Sequence, residues 1–330
     1  MPSMTPSTDS SPDPADQGDT IAFRIGLDGK GGCTDDADRA AIRWTHYRID
    51  DEGHAQLLIN DRRLAERIAE AMTMENARPR ATLFEDGLLV VLRGINCNTG
   101  SAPEDMVSMR AWVDGERVVT VSPRRVFAVE DVHQELRRGD GPTTAIEVLT
   151  RIATALVERM RPVVDGLEEA VDALHEGMLN NGPEELQRPL SDLRHMTARL
   201  RRHMAPQRDA LRQLLKMKSD FLSADDLAEL SNAADNQSRY VEDADSVRER
   251  ATVLQDELNN TVANEMNRNM YLMSIIAAVF LPLGLLTGLL GINVGGMPGT
   301  NSPIAFWSVC GLLGLIALAE VWYFRRRRLL

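Results

Sequence analysis

From Asn269 to Phe324 the chain carries one charged residue, Glu320. Two apolar spans lie inside that interval, 271–290 and 304–324, each about the 20 residues a helix needs to cross roughly 30 Å of hydrocarbon. A bilayer interior offers the backbone no outside hydrogen-bond partner, so such spans must satisfy their own amides as helices. The remainder is charged, and a net charge of −12 over the whole sequence hides how unevenly polarity is distributed. The loop between the spans, 291–303, reads GINVGGMPGTNSP and has no Lys or Arg, whereas Arg325, Arg326, Arg327 and Arg328 follow the second span directly. By the positive-inside rule the basic C-terminus, 325–330, and the large N-terminal part are expected in the cytoplasm, with the loop outside. Trp307, Trp322 and Tyr323 fit interfacial anchors, and the arginine run reads first as a topology signal.

The opening residues, 1–19, are rich in Pro, Ser and Asp and read as a disordered tail without a cleavable signal peptide. The three cysteines, Cys33, Cys97 and Cys310, form no CxxC pair and read as packing residues. No nucleic-acid partner and no permanently bound cofactor are expected. Residues 20–142 alternate in the manner of strands: IAFRIGL, IRWTHYRI, ATLF, GLLVVLRGI, VSMRAWV and ERVVTVS, with VDGE marking a hairpin and LAERIAEAM spaced as a helix. They predict a cytosolic mixed α/β domain. GLDGKGG, Gly26 to Gly32, lacks the ending of a phosphate loop and reads as a turn. Residues 143–222 read as helical arms: one from Thr143 to Leu179, interrupted at Pro162 and capped by Thr143 or Thr144, a second from Pro183 to His203, and a third from near Pro206. Between Pro206 and Pro282 there is no Gly or Pro. A stalk helix is therefore expected over 223–270, with Ser223 as its cap and Asp225 and Asp226 in the first turn. Continued to Leu290, it would rise on the order of 100 Å.

Steps of three or four along this helix collect Asp256, Asn260, Asn264 or Asn267, Met270, Ser274, Ala277, Leu281, Gly284, Gly288 and Gly291. The stripe is polar in the cytosol and small in the bilayer. Small residues at this spacing allow close helix packing. The same stripe, repeated around an axis, could instead line a pore with Asn amides and carbonyls, and two spans per chain would then demand an oligomer.

The order of parts, with a long cytosolic stalk entering the first of two C-terminal spans, Gly291-Ile292-Asn293 closing that span, an MP-containing loop and a basic end, resembles the CorA family of divalent metal ion transporters along almost the whole chain. GIN in place of the family's GMN, followed by GG and PG, is similar to its ZntB-like zinc branch. The resemblance implies an α+β cytosolic domain, helical arms, and a homopentameric funnel whose first span, 271–290, lines the pore while the second, 304–324, faces lipid. It implies a bacterial inner-membrane location and a mouth formed by Gly291, Ile292 and Asn293. Five Asn293 amides could receive the shell of a hydrated cation without any charge, and the glycines would let the backbone turn there. The magnesium branch usually has an aromatic residue before the Gly and an acid after MP. Here Leu290 and Gly299 stand in those places, and together with Ile292 they favour Zn²⁺ over Mg²⁺, Co²⁺, Ni²⁺ or Cd²⁺.

Ten acids lie between Ala224 and Leu258. Asp243, Asp245 and, on the stripe, Asp256 are candidates for a regulatory metal; a solvated acidic face is the plainer alternative. His195 and His203, eight apart, read as surface residues, and no other His shows ligand spacing. Glu320 is a candidate proton carrier, against an interfacial ion pair with Arg325. No nucleophile elbow, P-loop or HExxH occurs, so no enzyme is expected. A membrane-anchored coiled-coil sensor or scaffold is the alternative of another class.

Overall fold

The computed structural model describes residues 21–49, 64–74, 78–180, 182–217, 222–291 and 304–326. The tail 1–19, loop residues 292–303 and the last four residues lie outside them. The chain divides into two compact units, one running to Gln255 and one from Asp256.

In the first unit, strands β1 (Ile21–Leu27), β2 (Cys33–Thr34), β3 (Ile42–Arg48), β4 (Arg80–Phe84), β5 (Gly87–Gly94), β6 (Val107–Val113) and β7 (Arg117–Ser122) form one sheet, ordered β2-β1-β3-β7-β6-β5-β4. Every neighbouring pair is antiparallel except β3 and β7. β5 and β6 read GLLVVLRG and VSMRAWV and are buried almost throughout, because both faces of the sheet are covered there. On one face, helix α1 (Glu66–Thr73) seats Ile68, Ala69 and Met72 against Leu89, Trp112, Val119 and Val121. On the other lies helix α3 (Ala145–Glu158), following α2 (Phe127–Arg138). A Cβ added to Gly94 would stand 2.5 Å from Leu156 Cδ2, so this helix approaches the sheet as closely as glycine permits.

Local signals form as expected. The Asp114 carboxylate accepts from the backbone N–H groups of Glu116 and Arg117, closing the VDGE turn. Asp28 accepts from the N–H groups of Lys30 and Gly32, which hold its carboxyl below the usual range, and Gly29 and Gly31 take positive φ; GLDGKGG is a turn. Thr144 Oγ1 accepts from the Glu147 N–H at 3.1 Å, while Glu147 accepts from Thr143, a reciprocal cap.

Helix α4 (Arg161–Asn180) begins anew, with Pro162 tolerated in its first turn. Helix α5 (Pro183–Lys216) corrects one expectation, because it runs through Pro206 without ending there. Its buried stripe, Leu186, Leu190, Leu193, Thr197, Leu200, Met204, Gln207, Leu211 and Leu214, keeps steps of three and four across that proline. Continuous apolar packing offsets the loss of one helical hydrogen bond.

Helix α6 (Ala224–Leu290) starts on a reciprocal cap: the Asp226 N–H donates to Ser223 Oγ at 3.1 Å, and the Asp226 carboxylate accepts from the Ser223 N–H and hydroxyl. Its first part belongs to the first unit, where Arg250 pairs with Asp172 of α4. Helix α7 (Ala305–Arg326) completes the second unit. These two helices are the ones long and apolar enough to cross a membrane among the described residues.

One polar cluster sits within the sheet. Trp44 Nε1 and His46 Nδ1 both lie 2.9 Å from Thr120 Oγ1, and His46 Nε2 is 3.5 Å from Ser122 Oγ. The indole donates to Thr120, and because the Ser122 hydroxyl donates to the Arg124 carbonyl, the tautomer that suits both contacts has His46 Nε2–H facing Ser122 Oγ and Nδ1 accepting from the Thr120 hydroxyl. Burial, helped by Arg48, holds the imidazole down at about 3 from its ordinary 6.5. Below pH 6.5 the unfolded chain takes up a proton here that the folded chain refuses until about pH 3, so this histidine removes stability progressively as pH falls through that window. His46→Gln is expected to flatten the acid limb of a stability–pH curve measured by denaturant unfolding. Leu156→Ala is expected to cost about 2–5 kcal/mol, against about 1 kcal/mol for Ser223→Ala, in the same assay.

Candidate functional site

From Asn260 onward α6 has almost no neighbours in its own chain. Asn260, Asn264, Asn267, Met270, Ser274, Ala277, Leu281, Gly284 and Gly288 are all exposed, whereas Ile275, Val279, Pro282, Leu283 and Leu286 are partly covered. At about 100° per residue, Ala277, Leu281, Gly284 and Gly288 each stand some 200° from the covered residue two places before, so the open stripe lies opposite the covered one. α7 likewise has one covered stripe, Ala305, Val309, Leu313, Ile316, Ala317 and Glu320, at helical spacing.

The open stripe has two chemical characters. Its upper part presents asparagine amides, with donors and acceptors and no net charge. Its lower part presents almost no side chain: a Cβ added at Gly284 or Gly288 would meet nothing within 4 Å. Nothing in the single chain requires glycine at those places. The hydroxyls of Ser274 and Thr287 turn back onto the carbonyls of Met270 and Leu283, each at 2.9 Å, the usual resort of a hydroxyl with no external partner. Pro282 has no N–H to give to the Ala278 carbonyl, which leaves that oxygen without its helical donor. Gly291 closes the helix, its N–H shared between the Thr287 and Gly288 carbonyls at 2.9 and 3.2 Å. Ile292 and Asn293, the rest of the expected mouth, lie outside the described residues.

The acidic candidates do not converge within one chain. Asp245 is taken by Arg201 and, at 3.8 Å, by Arg248. Asp243 is half-buried; desolvation, with Glu242 and Asp165 nearby, raises its carboxyl above the usual range. Asp256 is exposed. Among the described residues no three His, Cys, Asp or Glu side chains are placed to hold a metal. Glu320 Oε2 is enclosed and has no hydrogen-bond partner among them, so the expected ion pair with Arg325 is not formed; Arg326 instead covers the Trp322 ring at 5.1 Å.

His195 is exposed as expected, whereas His203 is only partly exposed. It lines a cavity of about 730 Å³ whose walls come from β5, β6, the segment after β7 and α5. Sequence spacing holds no trace of this grouping, because its residues are brought together only by the sheet order.

A family model described as CorA-like Mg²⁺ transporter protein matches residues 39–326. The chain belongs to that family. The divalent cation transporter CmaX of Pseudomonas aeruginosa is 40% identical over 293 residues, covering 86% of each chain. The zinc transport protein ZntB of Pectobacterium carotovorum is 32% identical over 310 residues, covering 92% of this chain and 94% of the relative. The structure of full-length CmaX superposes with a TM-score of 0.79 at 35% identity, covering 95% of this chain and all of that one. The α+β architecture, a sheet domain with helical arms, a long helix and two apolar C-terminal helices, is therefore the family's.

The open and covered faces of α6 make opposite demands on labelling. After replacement of the native cysteines, Ala277→Cys and Leu281→Cys are expected to react with a charged, membrane-impermeant thiol reagent in liposomes, and Ile275→Cys and Val279→Cys to react at least about tenfold more slowly. Equal rates at all four positions would remove the distinction between the faces.

Proposed function

We propose that five copies of this chain assemble around the open stripe of α6 in a bacterial inner membrane and conduct a divalent cation, with Zn²⁺ favoured, between an outer mouth at Gly291, Ile292 and Asn293 and the cytosol. The carrying observation is the stripe itself: Asn260, Asn267, Met270, Ser274, Ala277, Leu281, Gly284 and Gly288 follow one another at steps of three to seven along the helix and are all exposed, and from Ile275 to Leu286 the partly covered residues lie on the side opposite Ala277, Leu281 and Gly284. Its glycines have no role within one chain. In a ring, small residues at the bilayer level bring backbones close, and amides above them offer oxygens to a hydrated ion. A neutral path suits an ion that keeps much of its water, since tight ligation would slow release.

The similarity to proteins named for divalent cation and zinc transport supports the choice of cargo. Asp243, Asp245 and Asp256 would act as a regulatory metal site only through neighbouring copies, because one chain does not gather them. Glu320, with an unpaired oxygen on the covered side of α7, is the group we assign to carry a proton if transport is proton-coupled.

Purified protein in proteoliposomes is expected to move Zn²⁺ faster than Mg²⁺, Co²⁺, Ni²⁺ or Cd²⁺. Asn293→Ala is expected to lower that flux at least about tenfold while the protein still elutes as an oligomer. Full flux in this variant would leave the two helices as an anchor alone. Glu320→Gln is expected to abolish the response to an imposed pH gradient without abolishing downhill flux; an unchanged response removes Glu320 from the proton path.

A further inference from the structure

On α6, Met266, Met270 and Met273 follow one another at steps of four and three, so their thioethers leave one side of the helix. At about 100° per residue the three directions fall within some 60° of one another. They are 59%, 54% and 67% exposed. Methionine serves differently in the first unit, where Met72, Met106, Met109, Met160 and Met204 fill the core at 5% exposure or less. The three open thioethers line a recess of about 580 Å³ together with Glu265 and Asn269. Glu265 is the one charged side chain on that wall and forms no ion pair among the described residues.

A thioether sulfur is neutral and polarisable, and its lone pairs hold a soft cation far better than a hard one. Mg²⁺ and Zn²⁺ choose carboxylate, carbonyl, imidazole or thiolate ligands. Of these the recess offers one carboxylate and one amide, and the Ser274 hydroxyl beside them is already turned onto the Met270 carbonyl. Cu(I) and Ag(I), by contrast, are singly charged ions that accept two or three sulfurs with little demand on angle. Along the helix axis Met270 stands about 6 Å from Met266 and about 4.5 Å from Met273. Three rotatable bonds let each outer sulfur reach toward the middle one. An ion held by Met270 is therefore within reach of both neighbours, and the Glu265 carboxylate matches its single charge.

We propose that Met266, Met270 and Met273 form a site for a soft monovalent cation of the Cu(I) and Ag(I) class, where α6 enters its apolar span. Met270 supplies the central sulfur, Met266 and Met273 close on the ion from either end, and Glu265 balances the charge. The site is complete on one helix, so it stands whether or not α6 lines a conduit. Met270 also belongs to the open stripe, and an ion bound there would stand on the path proposed for the divalent cation.

The test is titration of the full chain in detergent with silver nitrate in chloride-free buffer, Ag⁺ being a probe that keeps its oxidation state. Cys33, Cys97 and Cys310 are replaced by alanine, since their thiols would compete, and the methionine methyl groups carry a carbon-13 label. The methyl signals of Met266, Met270 and Met273 are assigned by single substitutions to leucine, which keep volume and apolarity. These three signals are expected to shift together and to saturate at one Ag⁺ per chain, while those of the buried Met72, Met109 and Met204 stay in place. Met266→Leu, Met270→Leu and Met273→Leu combined are expected to weaken the calorimetric affinity at least about tenfold with wild-type circular dichroism. Met270→Leu alone is expected to weaken it in the same direction, and Met74→Leu, at an exposed methionine of the first unit, to bind as wild type. Zn²⁺ or Mg²⁺ in place of Ag⁺ is expected to leave the three signals unmoved. Signals that do not move with Ag⁺, an undiminished affinity in the leucine variants, or an equal response to Zn²⁺ overturns the proposal.

Discussion

Hydrocarbon solvates neither charge nor an unpaired peptide group, and the rest of this chain's organisation depends on that. The interval from Asn269 to Phe324, whose one charged residue is Glu320, holds two helices because a helix satisfies its own backbone in such a medium. A membrane helix gains little from burying leucine against leucine, since lipid is equally apolar. Close approach of backbones must supply what the hydrophobic effect supplies elsewhere, and Gly284, Gly288 and Ala277 are the residues that permit it. In the first unit the balance is reversed. There, burial of Ile68, Met72, Leu89, Trp112, Ile152 and Leu156 on two faces of one sheet supplies the driving force, each at about 1.5–3 kcal/mol.

Much of this was legible in the order of residues, and the part that was legible is the local part. Six of the seven strands, the caps at Thr144 and Ser223 and the turns at Asp28 and Asp114 depend on neighbours within a few positions, so period and turn chemistry reveal them. β2 is two residues long and has no period to detect. The parallel pairing of β3 with β7 joins Arg43 to Arg117 and leaves no mark in either segment alone. Pro206 misled because a proline announces a helix end by its own chemistry, whereas packing of Leu200, Met204, Leu211 and Leu214 decides otherwise from a distance. The same limit explains His203. From spacing it looked like a solvated residue among arginines, yet Arg93, Arg110 and Arg124 reach it from strands and turns dozens of positions away.

The candidate stripe was legible for a different reason. Its residues share one helix, so the three-and-four rule finds them directly. What spacing left undecided was whether the stripe packs closely against another helix or lines a pore. Every stripe residue after Asn260 is exposed in the single chain, and from Ile275 to Leu286 the covered residues lie on the opposite side, the geometry that either arrangement between copies needs.

The amide pair Gln207 and Gln237 has a consequence for how the first unit can move. Arg93 N–H gives to Gln207 Oε1, Gln207 Nε2 gives to Gln237 Oε1, and Gln237 Nε2 gives to the Met204 carbonyl. Each amide spends its oxygen on one neighbour and its nitrogen on the next, so the series has a fixed sense, and turning one amide over would set like poles facing at both of its ends. Such a relay resists sliding better than greasy contact, which is indifferent to small displacements. Strand β5, the arm and the early part of the long rod are thereby tied to travel together, and a pull on the sheet at Arg93 passes to Gln237.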